Sequence, residues 1–315
     1  MRQVARLPVT LVVLALGVAC QGSAPLPPKA VALNAAGTEA LEQGDLEAAG
    51  ARFALALEYH PKFVEALVNQ GLVSLKLGNL RRARQLFERA RRLNPDMAQP
   101  HHALGVLAEH EGRPDKASAH YREALRVDPG FAMARANLAR LYFNAGYMNE
   151  ALVESRRLVE VAPEQAAGHV VLVESLLQLG RRLEADDALD HALARFPQNP
   201  ALQILAARRQ LREGKYVAAI ASLRPLAARR DDWAAAALSW MATAELAAGR
   251  PRRALGAAQK ALDLVPDDPV ASYVMAASLV LLKNPSAKDW ILRAVELGST
   301  LPFQASGPRS STSIQ

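Results

Sequence analysis

The chain has 315 residues, half of them apolar but only 5% aromatic, and alanine and leucine predominate. That composition favours helices and disfavours immunoglobulin-like or barrel folds. The single cysteine, Cys20, excludes an intrachain disulfide and a cysteine-based zinc site, while 38 basic against 31 acidic residues give a net charge of +7 that opens acidic partners in principle.

At the amino terminus, Arg2 and Arg6 precede an apolar run from Leu7 to Leu16 that only Pro8 and Thr10 interrupt, and the small residues Gly17 and Ala19 stand ahead of Cys20. This order is that of a secretory signal peptide over residues 1–19, too short to span a bilayer. Leu16, Gly17, Val18, Ala19 and Cys20 resemble a bacterial lipobox, with Gly17 where that pattern usually has leucine. The resemblance implies lipidation at Cys20 and attachment to a membrane through that lipid. Cleavage by ordinary signal peptidase and absence of processing stay open. Loss of residues 1–19 removes Arg2 and Arg6, two of the seven net charges, and leaves +5. Gln21 to Pro28 is polar and proline-rich, so residues 20–29 are expected to carry the lipid site and a tether.

Beyond the tether the chain repeats. Glycines recur at 44, 78, 112, 146, 180 and 214, alanines at 49, 83, 117, 151, 185 and 219, and prolines at 61, 95, 129, 163 and 197. A period of 34 residues is that of a helical hairpin. Glycine at the fifteenth place supplies the left-handed backbone that ends a first helix. Small residues at the eighth place (Gly37, Gly71, Gly105, Ala139) and the recurring alanines let two antiparallel helices approach closely. Phe53, Phe87 and Tyr121 fill the seam to the next unit, and the prolines end the second helix. A seventh copy runs one residue late, with Gly249, Ala254 and Pro266, and an eighth, worn copy uses Ala287.

These residues resemble the tetratricopeptide repeat, with copies near 30–63, 64–97, 98–131, 132–165, 166–199, 200–234, 235–268 and 269–300. The resemblance implies an all-α fold, a right-handed α-solenoid of about eight helix pairs, each burying its apolar face against its neighbours. The family's tryptophan and leucine at the fourth and seventh places are mostly replaced, Val173 stands where a small residue is expected, and Asp231 where proline is. The tail, 301–315, is expected to be disordered.

No nucleophile-elbow GxSxG, phosphate-binding Walker A loop, zinc-binding HExxH or EF-hand loop occurs, and helix ends account for the glycines. The chain is therefore expected to be no enzyme and to hold no cofactor or metal. His101, His102 and His110 share one predicted helix with Glu109, and His120 follows on the next. Since His102 and His110 are eight apart rather than three or four, a metal or catalytic module there is the rival reading. Arg81, Arg82, Arg84, Arg89, Arg91 and Arg92 crowd one second helix and are expected on its convex, solvated face, with anionic headgroups or an acidic partner as the alternative. Nucleic acid is not expected, because export and the lack of interleaved aromatics argue against it.

The resemblance directs attention to the concave surface, lined by the second, fifth, ninth, twelfth and thirteenth places of each first helix. Those places carry Asn34, Thr38, Val68, Leu72, Gln99, His102, Val106, Met133, Arg140, Phe143, Val170, Glu174, Ile204 and Arg208, with Asn69 and Asn137 adjacent. They read as apolar in the amino-terminal half and charged later. A clamp for a chaperone's carboxyl terminus is disfavoured, since Asn34, Thr38, Asn69, Gln99 and Ala103 match its pattern at one place only. The expected function is a protein-interaction scaffold gripping a partner segment in this groove. It is expected to be exported, at the periplasmic face of the outer membrane as a lipoprotein or soluble in the periplasm. Resemblance to lipoproteins of this architecture implies help to an envelope machine such as a type IV pilus or secretion system; a peptidoglycan-machinery regulator and a cytoplasmic adaptor are the alternatives. Val274, Leu279, Val280 and Leu281 serve either core packing or self-association.

Overall fold

The structure, a computed structural model, describes residues 25–298. The expected signal segment, Cys20 and the tail from Leu301 lie outside the described residues. Within them are sixteen α-helices and no strand. They are α1 (Pro28–Glu42), α2 (Leu46–Tyr59), α3 (Val64–Lys76), α4 (Leu80–Leu93), α5 (Ala98–His110), α6 (Pro114–Val127), α7 (Ala132–Asn144) and α8 (Met148–Val161), followed by α9 (Ala166–Gln178), α10 (Arg182–Arg195), α11 (Pro200–Arg212), α12 (Tyr216–Ala227), α13 (Trp233–Ala247), α14 (Pro251–Leu264), α15 (Pro269–Leu281) and α16 (Ala287–Glu296). The helices follow one another in short-linked pairs, α13 beginning two residues ahead of the expected start at 235, so the fold is an all-α solenoid of helix hairpins. None of these helices is long and apolar enough to cross a membrane. Helix α1 starts at Pro28, two residues inside the expected tether, because proline at a helix start forgoes only a donor that would lack a partner anyway.

The turn inside each hairpin is chemically uniform. Gly44 has φ +80°; its N–H bonds the Leu41 carbonyl, and the Asp45 N–H reaches back to Ala40. This double closure satisfies carbonyls that the helix end would otherwise leave open. Gly78, Gly146, Gly180, Gly214 and Gly249 repeat it. In the last hairpin the same two bonds form around Lys283, at φ 54°, a conformation costing a side-chain-bearing residue roughly 1–2 kcal/mol. Asp45 and Asn79 then cap the second helix, their side chains accepting from the N–H groups of Ala48 and Arg82.

The recurring prolines act one residue upstream. His60, Asn94, Asp128, Ala162, Phe196 and Val265 each leave helical backbone, with ψ between 59° and 97°, directly before a proline, whose ring disfavours a helical predecessor. Repeat six lacks that proline. Its α12 is the shorter helix, carries Pro225 inside it, and ends in the longer turn 228–232, which absorbs the one-residue slip of repeat seven.

The chain divides into two compact units, Met1–Leu107 and Ala108–Gln315. In the first, the fully buried Phe87 sits among Leu67, Ala83, Ala90 and Leu104, a burial that stabilises by about 1.5–3 kcal/mol. A Cβ on Gly71 would lie 2.3 Å from the Phe87 ring, and one on Gly37 would lie 2.6 Å from Phe53. The two aromatics therefore fill a gap inside their own hairpin as well as the seam to the next. In the second unit the exchange runs the other way: Val173 replaces the small residue and Leu189 the aromatic, and both are buried in one cluster. The departure at Val173 is thus compensated by a volume-conserving swap. The recurring alanines, from Ala49 to Ala254, are fully buried.

Candidate functional site

In the first unit the expected groove residues are largely committed. The Asn69 amide donates to the Asn34 side-chain oxygen across 3.1 Å, and the Thr38 hydroxyl donates to the Asn34 carbonyl. Val68 is buried in the core, and Leu72 and Val106 pack against the same cluster. His102 is half-buried. The apolar character expected here is therefore mostly interior, with little left for a ligand.

The histidine next to it, His101, belongs to a recurring device. Its Nε2 lies 2.9 Å from the Pro95 carbonyl, and since a carbonyl can only accept, that nitrogen carries the proton. At the same fourth place in later repeats, Arg135 donates to the Pro129 carbonyl, His169 to Pro163 and Gln203 to Pro197. A polar side chain where the family usually has tryptophan thus satisfies the carbonyl freed at the preceding helix end. Arg135 also pairs with Glu154, both side chains nearly buried. No group of three or more potential metal ligands converges among the described residues.

The six arginines of α4 divide. Arg89 donates to the Pro61 carbonyl at 2.7 Å and Arg91 pairs with Glu88, while Arg81, Arg82 and Arg92 are exposed opposite the buried Ala83, Phe87 and Ala90. Arg84 is half-buried and engaged.

In the second unit the charges expected in the groove are neutralised in pairs that stitch successive repeats. Arg140 reaches both oxygens of Glu109, which also accepts from the Tyr121 hydroxyl. Burial and that carboxylate hold the Tyr121 phenol well above the usual tyrosine range. Arg208 pairs with Glu174 and lies over the Trp240 ring, 4.8 Å from its centre. Arg212 pairs with Asp186 at 2.7 Å. Phe143 and Asn137 are half-buried on the same helix as Arg140.

The open groove lies further along. It holds about 870 Å³ and is formed by first helices α9, α11, α13 and α15 with α16 and the start of α10. Leu211, Trp240, Leu246 and Tyr273 line its middle; Val280, Leu281, Ile291 and Val295 line its far end; Arg182, Arg208 and Arg212 stand at its near end. Of the residues expected in a groove, only Arg208 belongs to it. The expectation that the later half is charged is corrected here: through repeats seven and eight the wall is apolar, because their place-twelve and place-thirteen residues are Leu246, Ala247, Val280 and Leu281. Carrying the same spacing into these worn repeats identifies them, together with Thr243, Tyr273 and Ala277. Val274 and Leu279 are core, whereas Val280 and Leu281 are 51% and 61% exposed.

Two segments, residues 34–98 and 108–172, match tetratricopeptide-repeat families. These two segments are tetratricopeptide repeats. No curated protein sequence matches it. Among solved structures, the repeat array resembles one in the Cut9–Hcn1 assembly of the APC/C, with a TM-score of 0.65 and 16% identity over 86% of this chain and 53% of that one. It also resembles Pseudomonas aeruginosa PilF, at 0.57 and 21% over 68% and 96%. PilW, described as a type IV pilus biogenesis factor, follows at 0.53 and 17% over 79% and 99%. At these identities the shared property is the tetratricopeptide fold.

Proposed function

We propose that this chain is a non-enzymatic scaffold that holds a segment of a partner protein in the groove of its later tetratricopeptide repeats. The observation that carries the reading is the groove itself: an open, preformed apolar wall on rigid helices, which a folded chain keeps exposed at a cost unless something binds there. Peptide segments are recognised on such surfaces by apolar anchors set in a fixed frame.

The finer reading places the scaffold in a bacterial envelope, tethered through Cys20 at the periplasmic face of the outer membrane and assisting an assembly such as a type IV pilus or secretion system. It is supported by the signal-like residues 1–19, the lipobox-like run before Cys20, and the fold shared with PilF and PilW. Fold likeness alone does not choose a machine.

In-cell photo-crosslinking tests both levels. A photoreactive residue is placed at Thr38, Leu72, Phe143 or Thr243 of the full chain, with and without Cys20→Ala. Recovery of an envelope protein, strongest from Thr243 and dependent on Cys20, is the expected outcome. Cytoplasmic partners captured equally by both forms would replace the envelope reading with a soluble adaptor. Absence of any crosslink at all four sites would remove the scaffold reading.

A further inference from the structure

The chemistry of the groove wall specifies its occupant more narrowly than the scaffold reading, on which this inference rests. Among the described residues lining it there are three arginines and no carboxylate. Glu174 and Asp186, which pair with Arg208 and Arg212, stand outside the wall, and each of those pairs uses a single guanidinium nitrogen. A guanidinium has five N–H donors, so both arginines keep donors for a ligand. Arg182 is exposed at the start of α10, where the helix terminus adds further positive potential.

Cationic and apolar ends are separated along the groove. Helices α11, α13 and α15 pack in succession. At 8–10 Å between packed helix axes, the axis of α11 lies roughly 16–20 Å from that of α15, with the Arg208 guanidinium leaning toward α13 over Trp240. The apolar end formed by α15 and α16 is unusually bare for an interior wall: Leu281 is 61% exposed, Ile291 44% and Val295 71%.

We propose that the groove of repeats five to eight binds an acidic amphipathic protein segment, large apolar side chains seated against Tyr273, Leu281 and Val295 and a carboxylate on Arg182, Arg208 or Arg212. The separation of those axes corresponds to about five or six residues of extended segment, or roughly 11–13 of helix at 1.5 Å each. Charge complementarity favours the carboxylate-bearing partner over a basic one, since a basic segment would bring like charge onto the exposed Arg182 and meet no carboxylate in the wall.

Panning a phage-displayed library of random 16-residue peptides against the purified full chain reads this preference directly. The expected enriched peptides combine two or more large apolar residues with Asp or Glu offset to one side. Leu281→Asp, at a position outside the core, is expected to weaken an enriched peptide's binding at least about tenfold while leaving helicity and melting unchanged. Arg182→Glu is expected to lower the acidic preference, and raised salt to weaken binding. Enrichment without acidic bias, enrichment indifferent to Leu281→Asp, or no enrichment would overturn the inference. A chain that elutes as a dimer dissolved by Leu281→Asp would assign the groove to a second copy. Enrichment seen only after removal of residues 299–315 would assign it to the chain's own tail. Either result also overturns it. A partner crosslinked through Thr243 alongside any of these results would leave the scaffold reading standing and only the acidic occupant rejected.

Discussion

At the scale of single residues, stability rests on two kinds of position that tolerate no compromise. Where a small residue faces an aromatic ring, as Gly71 faces Phe87, one added methyl must displace the ring. Gly71→Ala is expected to destabilise by about 1–3 kcal/mol, measured by chemical denaturation, because the core around Phe87 leaves it no room to move. Where the backbone turns left-handed the reverse holds: Lys283→Gly is expected to stabilise by about 1 kcal/mol and raise the melting temperature, since glycine adopts that backbone without the steric cost. Tyr121 adds a pH dependence. Its phenol titrates above the ordinary value of 10.0 in the folded chain, so the folded state holds the proton more tightly than the unfolded one. Its contribution is complete below the unfolded value and is lost as pH rises above about 10, and Tyr121→Phe should flatten the alkaline fall in melting temperature.

At the scale of elements, the helix ends decide more than the helix interiors. The proline that stops each second helix leaves its own carbonyl to be satisfied, and the fourth-place side chain of the next repeat does so in four successive copies. That device was not legible beforehand, because the fourth-place residues, His101, Arg135, His169 and Gln203, share no chemistry except the ability to donate. Their loss should not be equal. Arg135→Ala would leave the nearly buried Glu154 without its close partner and is expected to cost about 3 kcal/mol or more. His101→Leu should cost less, about 1 kcal/mol, since it takes the donor only from the carbonyl of the exposed Pro95, and thermal melts of the two variants side by side check the contrast. Pairs such as Arg140 with Glu109 show why the charged expectation for the groove did not hold: residues read as facing a ligand face each other across successive repeats.

For the whole molecule, the last helix pair is both the end of the stack and part of the groove. Helix α16 has one buried residue, Ala294, and leaves Ile291, Leu292 and Val295 exposed. It should therefore lose amide protection before α13 in hydrogen-exchange mass spectrometry, and a bound segment should slow exchange in α16 most. Period, helix number, turn positions and the all-α class were determined by the sequence by itself, because each depends on local backbone chemistry: glycine at left-handed turns, proline after residues that leave the helix, small residues at close approaches. Which concave positions remain open was decided only in the tertiary structure. Exposure depends on what each side chain meets across a helix interface, where Val68 is buried by its neighbours, Arg208 is drawn to Glu174 and Trp240, and Val280 and Leu281 are left facing an open groove.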